Sequence, residues 1–176
     1  MKGGHVILVG LPGAGKTTVG RLVAERLGVR FADVDALIEE RIGLPIPRIF
    51  SDRGEESFRE YEGDIGAELV ASDRPQVIAP GGGWAAQPQS LDSVAGRDLT
   101  VYLETTPATA AVRARNGVLR PLLGADEGAY EGRITELHRT RQRYYSRCDL
   151  SVSTDGRTPV EVTQEVVELA RSHGGW

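Results

Sequence analysis

Several things are scarce in this chain of 176 residues. It has one cysteine, Cys148, which excludes an intrachain disulfide framework and a cysteine-based zinc site. That scarcity, and an N-terminus without a secretory pattern, predict a cytoplasmic setting. No apolar run approaches the ~18 residues of a membrane helix, so no membrane partner is expected. Basic residues do not dominate either: 21 Lys plus Arg stand against 25 Asp plus Glu, a net charge of −4. A global basic footprint for nucleic acid is therefore missing. Lysine is the scarcest charge, present only at Lys2 and Lys16, with every other basic residue an arginine. A lysine kept at position 16 against that bias suggests a site that needs a compact point charge and not a fork.

What is abundant is glycine, 22 residues against an average near 7%. The glycines cluster without a collagen period, which suggests backbone hinges and close approaches. Charge is also unevenly placed. Residues 33–64 carry a local −6, and residues 113–147 a local +4. Solvated helix faces explain this by default; the two segments could also face each other across a polyanion and its metal.

Short β-branched apolar runs alternate with helical patterns. Strands are predicted at His5 to Val9, Val29 to Val34, Gln76 to Ala79, Thr100 to Leu103 and Leu150 to Val152. Helices are predicted at Thr17 to Leu27, Asp35 to Gly43, Pro45 to Arg53, Glu55 to Ala71 and Arg133 to Arg147. Thr106-Pro107 reads as a helix start, and Thr158-Pro159-x-Glu161 as a capping box opening a last helix. Gly117 to Gly132 reads as a mobile glycine-rich loop. The alternation implies βαβ units and one α/β domain with a parallel sheet covered on both faces.

Gly10-Leu11-Pro12-Gly13-Ala14-Gly15-Lys16-Thr17 satisfies G-x-x-x-x-G-K-[ST], with a strand before it and a helix after it. Such a phosphate-binding loop (P-loop) turns successive N–H groups inward as an anion nest. The helix N-terminus adds its dipole, Lys16 reaches the β- and γ-phosphates, and the Thr17 hydroxyl can ligate Mg²⁺. No Asn-Lys-x-Asp base-reading motif exists, which excludes a GTPase switch, and the chain is short for a motor ATPase. A small kinase remains.

Acceptor-side candidates follow. Asp33-Val34-Asp35 ends the second strand; in an extended segment both carboxylates would share one face, with a helix N-cap as the plainer reading of Asp35. Arg59 stands among acids in GEESFREYE, residues 54–62, where local pairing with Glu55 or Glu56 is the plainer reading. Gly81, Gly82 and Gly83 follow the third strand, where side chains would obstruct a ligand.

These stretches, with RPLL at 120–123, occur together in one order, and by them the chain resembles the shikimate kinase family from about residue 5 to 172. The resemblance implies a P-loop kinase three-layer sandwich whose five-stranded parallel sheet has the order 2-3-1-4-5. It implies one kinase domain over residues 1–176, with an acceptor-binding region at about 33–62 and a lid at about 115–131. The implied reaction is ATP-dependent phosphorylation of the 3-hydroxyl of shikimate, a step toward chorismate and the aromatic amino acids, by a monomer using Mg²⁺. By the family pattern Gly10, Gly13, Ala14, Gly15, Lys16, Thr17 and Thr18 cradle the phosphates. Thr17 and Asp33 hold the metal, Asp35 is the base, and Arg59 and Arg141 grip the shikimate carboxylate. Gly81, Gly82 and Gly83 line the ring, and Glu62 supports Arg59 or a hydroxyl. Arg120 swings from the lid onto the phosphates, and Arg115 lies against adenine.

Alternatives stay open at this level. Arg139 and Arg143 compete with Arg141, and Arg113 with Arg115; Trp84 borders the pocket or packs in the core. Cys148, Tyr144 and Tyr145 read as packing residues. A kinase of another polyol acid such as gluconate, or a nucleotide-binding regulator without transfer activity, would share much of this pattern.

Overall fold

The computed structural model describes residues 4–115, 127–173 and 175–176, and of residues 115 and 127–129 the backbone alone. Five parallel strands make one sheet: β1 (Val6–Val9), β2 (Arg30–Asp33), β3 (Gln76–Ala79), β4 (Leu99–Glu104) and β5 (Leu150–Ser153). Their order is β2-β3-β1-β4-β5, as the resemblance implies. The chain leaves central β1 between β3 and β4, the place where strand order reverses and ligands bind in open α/β sheets.

The helices are α1 (Lys16–Leu27), α2 (Val34–Ile42), α3 (Ile46–Val70), α4 (Pro107–Arg115), α5 (Glu127–Tyr145) and α6 (Pro159–His173). Alternation along the strands divides the core in two. Val6 and Leu8, with Val101 and Leu103, face Val19, Val23, Val162 and Val166 of α1 and α6. Ile7 and Val9, with Tyr102, face Ile38, Ile65, Ile134 and Tyr145 of α2, α3 and α5. Burial of both sheet faces is why the strands read as unbroken apolar runs.

Local signals set the helix ends. Gly28 and Gly43 take left-handed φ values of 69° and 73° as C-caps. The box at α6 forms as expected: the Thr158 hydroxyl accepts from Glu161 N at 3.3 Å, and Thr158 N donates to Glu161 Oε2 at 2.8 Å. Thr109 N likewise donates to Thr106 Oγ1 at 3.3 Å at the head of α4.

The two helices expected on either side of Gly54 are present and follow one another as α3, parted at Gly54 by a φ of 82° and ψ of 172° that no helix interior contains. Two other expected bounds change. β4 is longer than Thr100 to Leu103 because Leu99 is buried on the inner face and Glu104 still pairs with Ser153 of β5. The glycine-rich loop does not extend to Gly132: α5 starts at Glu127, since Tyr130 and Ile134 bury one apolar side and outweigh the low helix propensity of Gly128 and Gly132. Gly117, Gly124, most of the expected lid and Arg120 lie outside the described residues. Among the described residues no helix is long and apolar enough to cross a membrane.

Candidate active site

The loop after β1 curls as its glycines dictate. Gly13 and Gly15 hold φ values of 84° and 95°, and Gly15 caps α1 in the left-handed region, which a side chain there would strain. A Cβ on Gly13 would also overlap the Ala110 carbonyl oxygen of α4. Ala14 N donates to Leu11 O at 3.0 Å, closing the turn. The Lys16 side chain spans the loop, and Nζ donates to the carbonyls of Gly10 at 2.9 Å and Leu11 at 3.0 Å. Thr17 and exposed Thr18 follow in the first turn of α1, facing the same cleft.

That cleft has a volume of about 690 Å³ and runs from the loop to α2, α3 and α5. The Thr17 hydroxyl donates to Asp33 Oδ2 at 2.6 Å, so two hard oxygen donors meet at its floor. This donor chemistry fits Mg²⁺, which takes few protein oxygens and keeps its waters.

Asp33 and Asp35 both line the cleft, though not by the expected route. The extended-face reading of D-x-D fails because β2 ends at Asp33 and α2 begins at Val34. Asp33, not Asp35, is the N-cap: its Oδ1 accepts from Asp35 N at 3.1 Å and from Ala36 N at 3.3 Å. The tight strand-to-helix turn then carries Asp35 to the first turn of α2, beside Gly81.

The three glycines that follow β3 meet four charged side chains. A Cβ on Gly81 would overlap Glu62 Oε1 and lie 3.3 Å from Asp35 Oδ1. On Gly82 it would lie 3.1 Å from Arg141 Nη1, and on Gly83 2.7 Å from Arg59 Nη1. The glycines thus leave room for the protein's own charges, and none of the three needs a positive φ. Arg59 pairs with Glu62 at 2.8 Å and with Glu55 at 3.3 Å, so local pairing and cleft lining occur together. Of the three competing arginines in α5, Arg141 alone is buried and reaches Gly82 and Gly83. Arg139 pairs with Glu136 in solvent at 2.6 Å, and Arg143 lies over the Tyr144 ring at 4.7 Å.

Burial pushes the Glu62 carboxyl above its ordinary value; Arg59 and Arg141 pull it back only in part, and Asp35 adds to the rise. Burial works against the Arg59 cation, and Glu62 and Glu55 more than restore it. The Cys148 thiol is pushed up to about 12, chiefly by burial, and is inert at neutral pH. Trp84 belongs to the core, with its indole against Gly66.

At the far end of the cleft Arg113 donates to Thr154 O at 2.8 Å and to its hydroxyl at 2.9 Å. Arg157 and Pro159 complete that end. The Arg115 side chain lies outside the described residues. Arg157 was not legible in the sequence, because it follows β5 in a turn without a motif. Tyr145 is more than packing: its hydroxyl donates to Gly82 O at 3.1 Å while its ring stacks on Tyr102 at 4.8 Å. The R-x-x-Y-Y spacing, one helical turn, is the signal that links it to Arg141.

A phosphate loop sharing one cleft with two arginines and two carboxylates defines a P-loop kinase for a small anionic, hydroxylated acceptor. The shikimate kinase family model matches residues 12–171, and the chain belongs to that family. It is 40% identical over 169 residues to the shikimate kinase of Moorella thermoacetica, covering 96% of this chain and 95% of that one. The solved structure of shikimate kinase from Acinetobacter baumannii in complex with shikimate superposes with a TM-score of 0.88 at 34% identity, covering 96% and 93% of the two chains. A gluconokinase from Sinorhizobium meliloti, covering 98% of this chain and 94% of its own at 18% identity and a TM-score of 0.65, shares the fold alone.

Proposed function

We propose that the chain transfers the γ-phosphoryl group of ATP to the 3-hydroxyl of shikimate, yielding shikimate 3-phosphate and ADP. The observation that supports this best is the meeting of Arg59 and Arg141 at Gly82 and Gly83, beside Asp35 and Glu62, in the cleft that begins at the phosphate loop. A carboxylate is well met by guanidinium forks, and ring hydroxyls by carboxylates.

In this reading Gly10, Gly13, Ala14, Gly15, Lys16, Thr17 and Thr18 hold the triphosphate through backbone N–H groups and the Lys16 ammonium. Lys16 exchanges its loop carbonyls for phosphate oxygens. Thr17 and Asp33 would hold Mg²⁺, directly or through water, and the ion would supply positive charge to offset that of the phosphates. Asp35 takes the proton of the acceptor hydroxyl as its oxygen bonds to the γ-phosphorus. The bond from that phosphorus to the bridging oxygen breaks, and ADP leaves with the electron pair. Lys16 and the lid residue Arg120 stabilise the charge that develops. Arg115 and Arg113 are the adenine-side candidates. A single monomeric domain with an acceptor-binding region at 33–62 and a lid at 115–131 completes the proposal, the lid excluding water as a competing acceptor.

An ADP-release assay of the purified chain against shikimate, quinate and gluconate tests this. Release that depends on shikimate is expected. Turnover of gluconate alone, or ATP binding with no acceptor-dependent release, overturns the reading.

A further inference from the structure

Glu62 is wholly buried, and its two oxygens differ in their partners. Oε2 accepts from Arg59 Nη1 and from Gln87 Nε2, each at 2.8 Å. Among the described residues Oε1 accepts no hydrogen bond, and it lies against Gly81 and Asp35 in the cleft. A carboxylate oxygen only accepts, so the Gln87 amide must present its NH₂ side.

Gln87 comes from a separate piece of chain. It closes the 3₁₀ turn Trp84–Ala86, with its own N–H donating to Trp84 O at 3.0 Å and its carbonyl accepting from Ser90 N at 3.3 Å. Its backbone is tied on both sides, which fixes the point from which the side chain reaches Glu62.

Arg59 has divided duties: Nη1 serves Glu62, and Nη2 serves Glu55 at 3.3 Å. Each N–H that turns to an acceptor's carboxylate is one fewer for the buried Glu62, which is costly to leave without a donor. Gln87 is neutral, so an arriving anion does not compete for it as strongly. We infer that Gln87 is a positioning residue, holding Glu62 in place while Arg59 engages the acceptor's carboxylate, so that Oε1 stays aimed at the acceptor hydroxyls. The inference rests on the reaction proposed above.

The groups facing Glu62 are Arg59 on α3, Asp35 on α2, and Arg141 and Tyr145 on α5. Gln87 adds a donor that favours the ionised carboxylate, so its loss moves Glu62 protonation upward.

Two variants test this. Gln87→Met keeps the length and removes the donor; Gln87→Glu keeps the shape and replaces the donor with an acceptor. In both, kcat/KM for shikimate is expected to fall about tenfold. Most of that fall appears in KM for shikimate, and KM for ATP stays at the parental value. The acid limb of the kcat/KM profile for shikimate moves to higher pH, further in Gln87→Glu. Titration of shikimate itself is common to all three proteins and cancels in the comparison. If Gln87→Met fails to fold, the near-isosteric Gln87→Glu carries the test. Parental shikimate KM and acid limb in a folded, active variant overturn the inference while leaving the reaction reading intact. A parent chain that does not turn over shikimate overturns both.

Discussion

Asp35 and Arg59 show how single side chains divide the chemistry. Asp35 faces the cleft from the first turn of α2, and the proton it is proposed to take is needed only as the phosphoryl group moves. Asp35→Asn should lower kcat by roughly 10²- to 10⁴-fold while nucleotide titration shows nearly parental ATP affinity. Arg59 meets charge already present in the ground state. Arg59→Leu should raise KM for shikimate roughly 10- to 100-fold, as loss of a charge-assisted hydrogen bond does, and change KM for ATP little. A parental shikimate KM in that variant would remove Arg59 from the carboxylate site.

Elements matter through what they bring together. The Gly81–Gly83 stretch after β3 is short of side chains because Glu62, Arg141 and Arg59 occupy the space that Cβ atoms would take. Gly81→Ala must displace the buried Glu62 carboxylate. Destabilisation of about 1–3 kcal/mol is expected, as for other overpacked sites, read by chemical denaturation. The same change should lower shikimate turnover more than ATP affinity, because the atoms nearest a Cβ at Gly81 belong to Glu62 and Asp35 and not to the phosphate loop. The break at Gly54 has a comparable meaning: it separates the Ile46 turn of α3 from the stretch bearing Phe58, Arg59 and Glu62, so that both line one cleft.

For the molecule as a whole, the cleft places a buried acid inside the fold, and stability should register it. Glu62 has a folded-state pKa above its unfolded value. Its ionisation therefore favours the unfolded chain: the contribution is fully present below the ordinary carboxylate range and is lost as pH rises through the raised pKa. Glu62→Gln removes that dependence. Its melting temperature relative to the parent should shift in the variant's favour as pH goes from about 4 to about 7. A difference that stays flat over this range would mean that Arg59 and Arg141 fully compensate the buried charge.

The phosphate loop, the five strands to within a residue at each end, the α6 capping box and the family were legible in the sequence, because each rests on neighbours in the chain. Glycines at 10, 13 and 15, a lysine and a threonine are enough to specify a loop whose backbone points inward. Period-two and period-3.6 patterns are likewise local, and Gln76–Ala79 emerged with the expected bounds. Tertiary structure decided matters that depend on packing across the chain. Which aspartate caps α2 follows from the turn that β2 must make beside β3. Arg141 enters the cleft where Arg139 and Arg143 do not, because the face of α5 carrying Ile134 and Tyr145 is the one that packs on the sheet. Gln87 reaches Glu62 across 25 residues of sequence, a contact no local pattern encodes. Local hydrogen bonding and periodicity wrote the elements into the sequence, and burial selected which charges share the cleft.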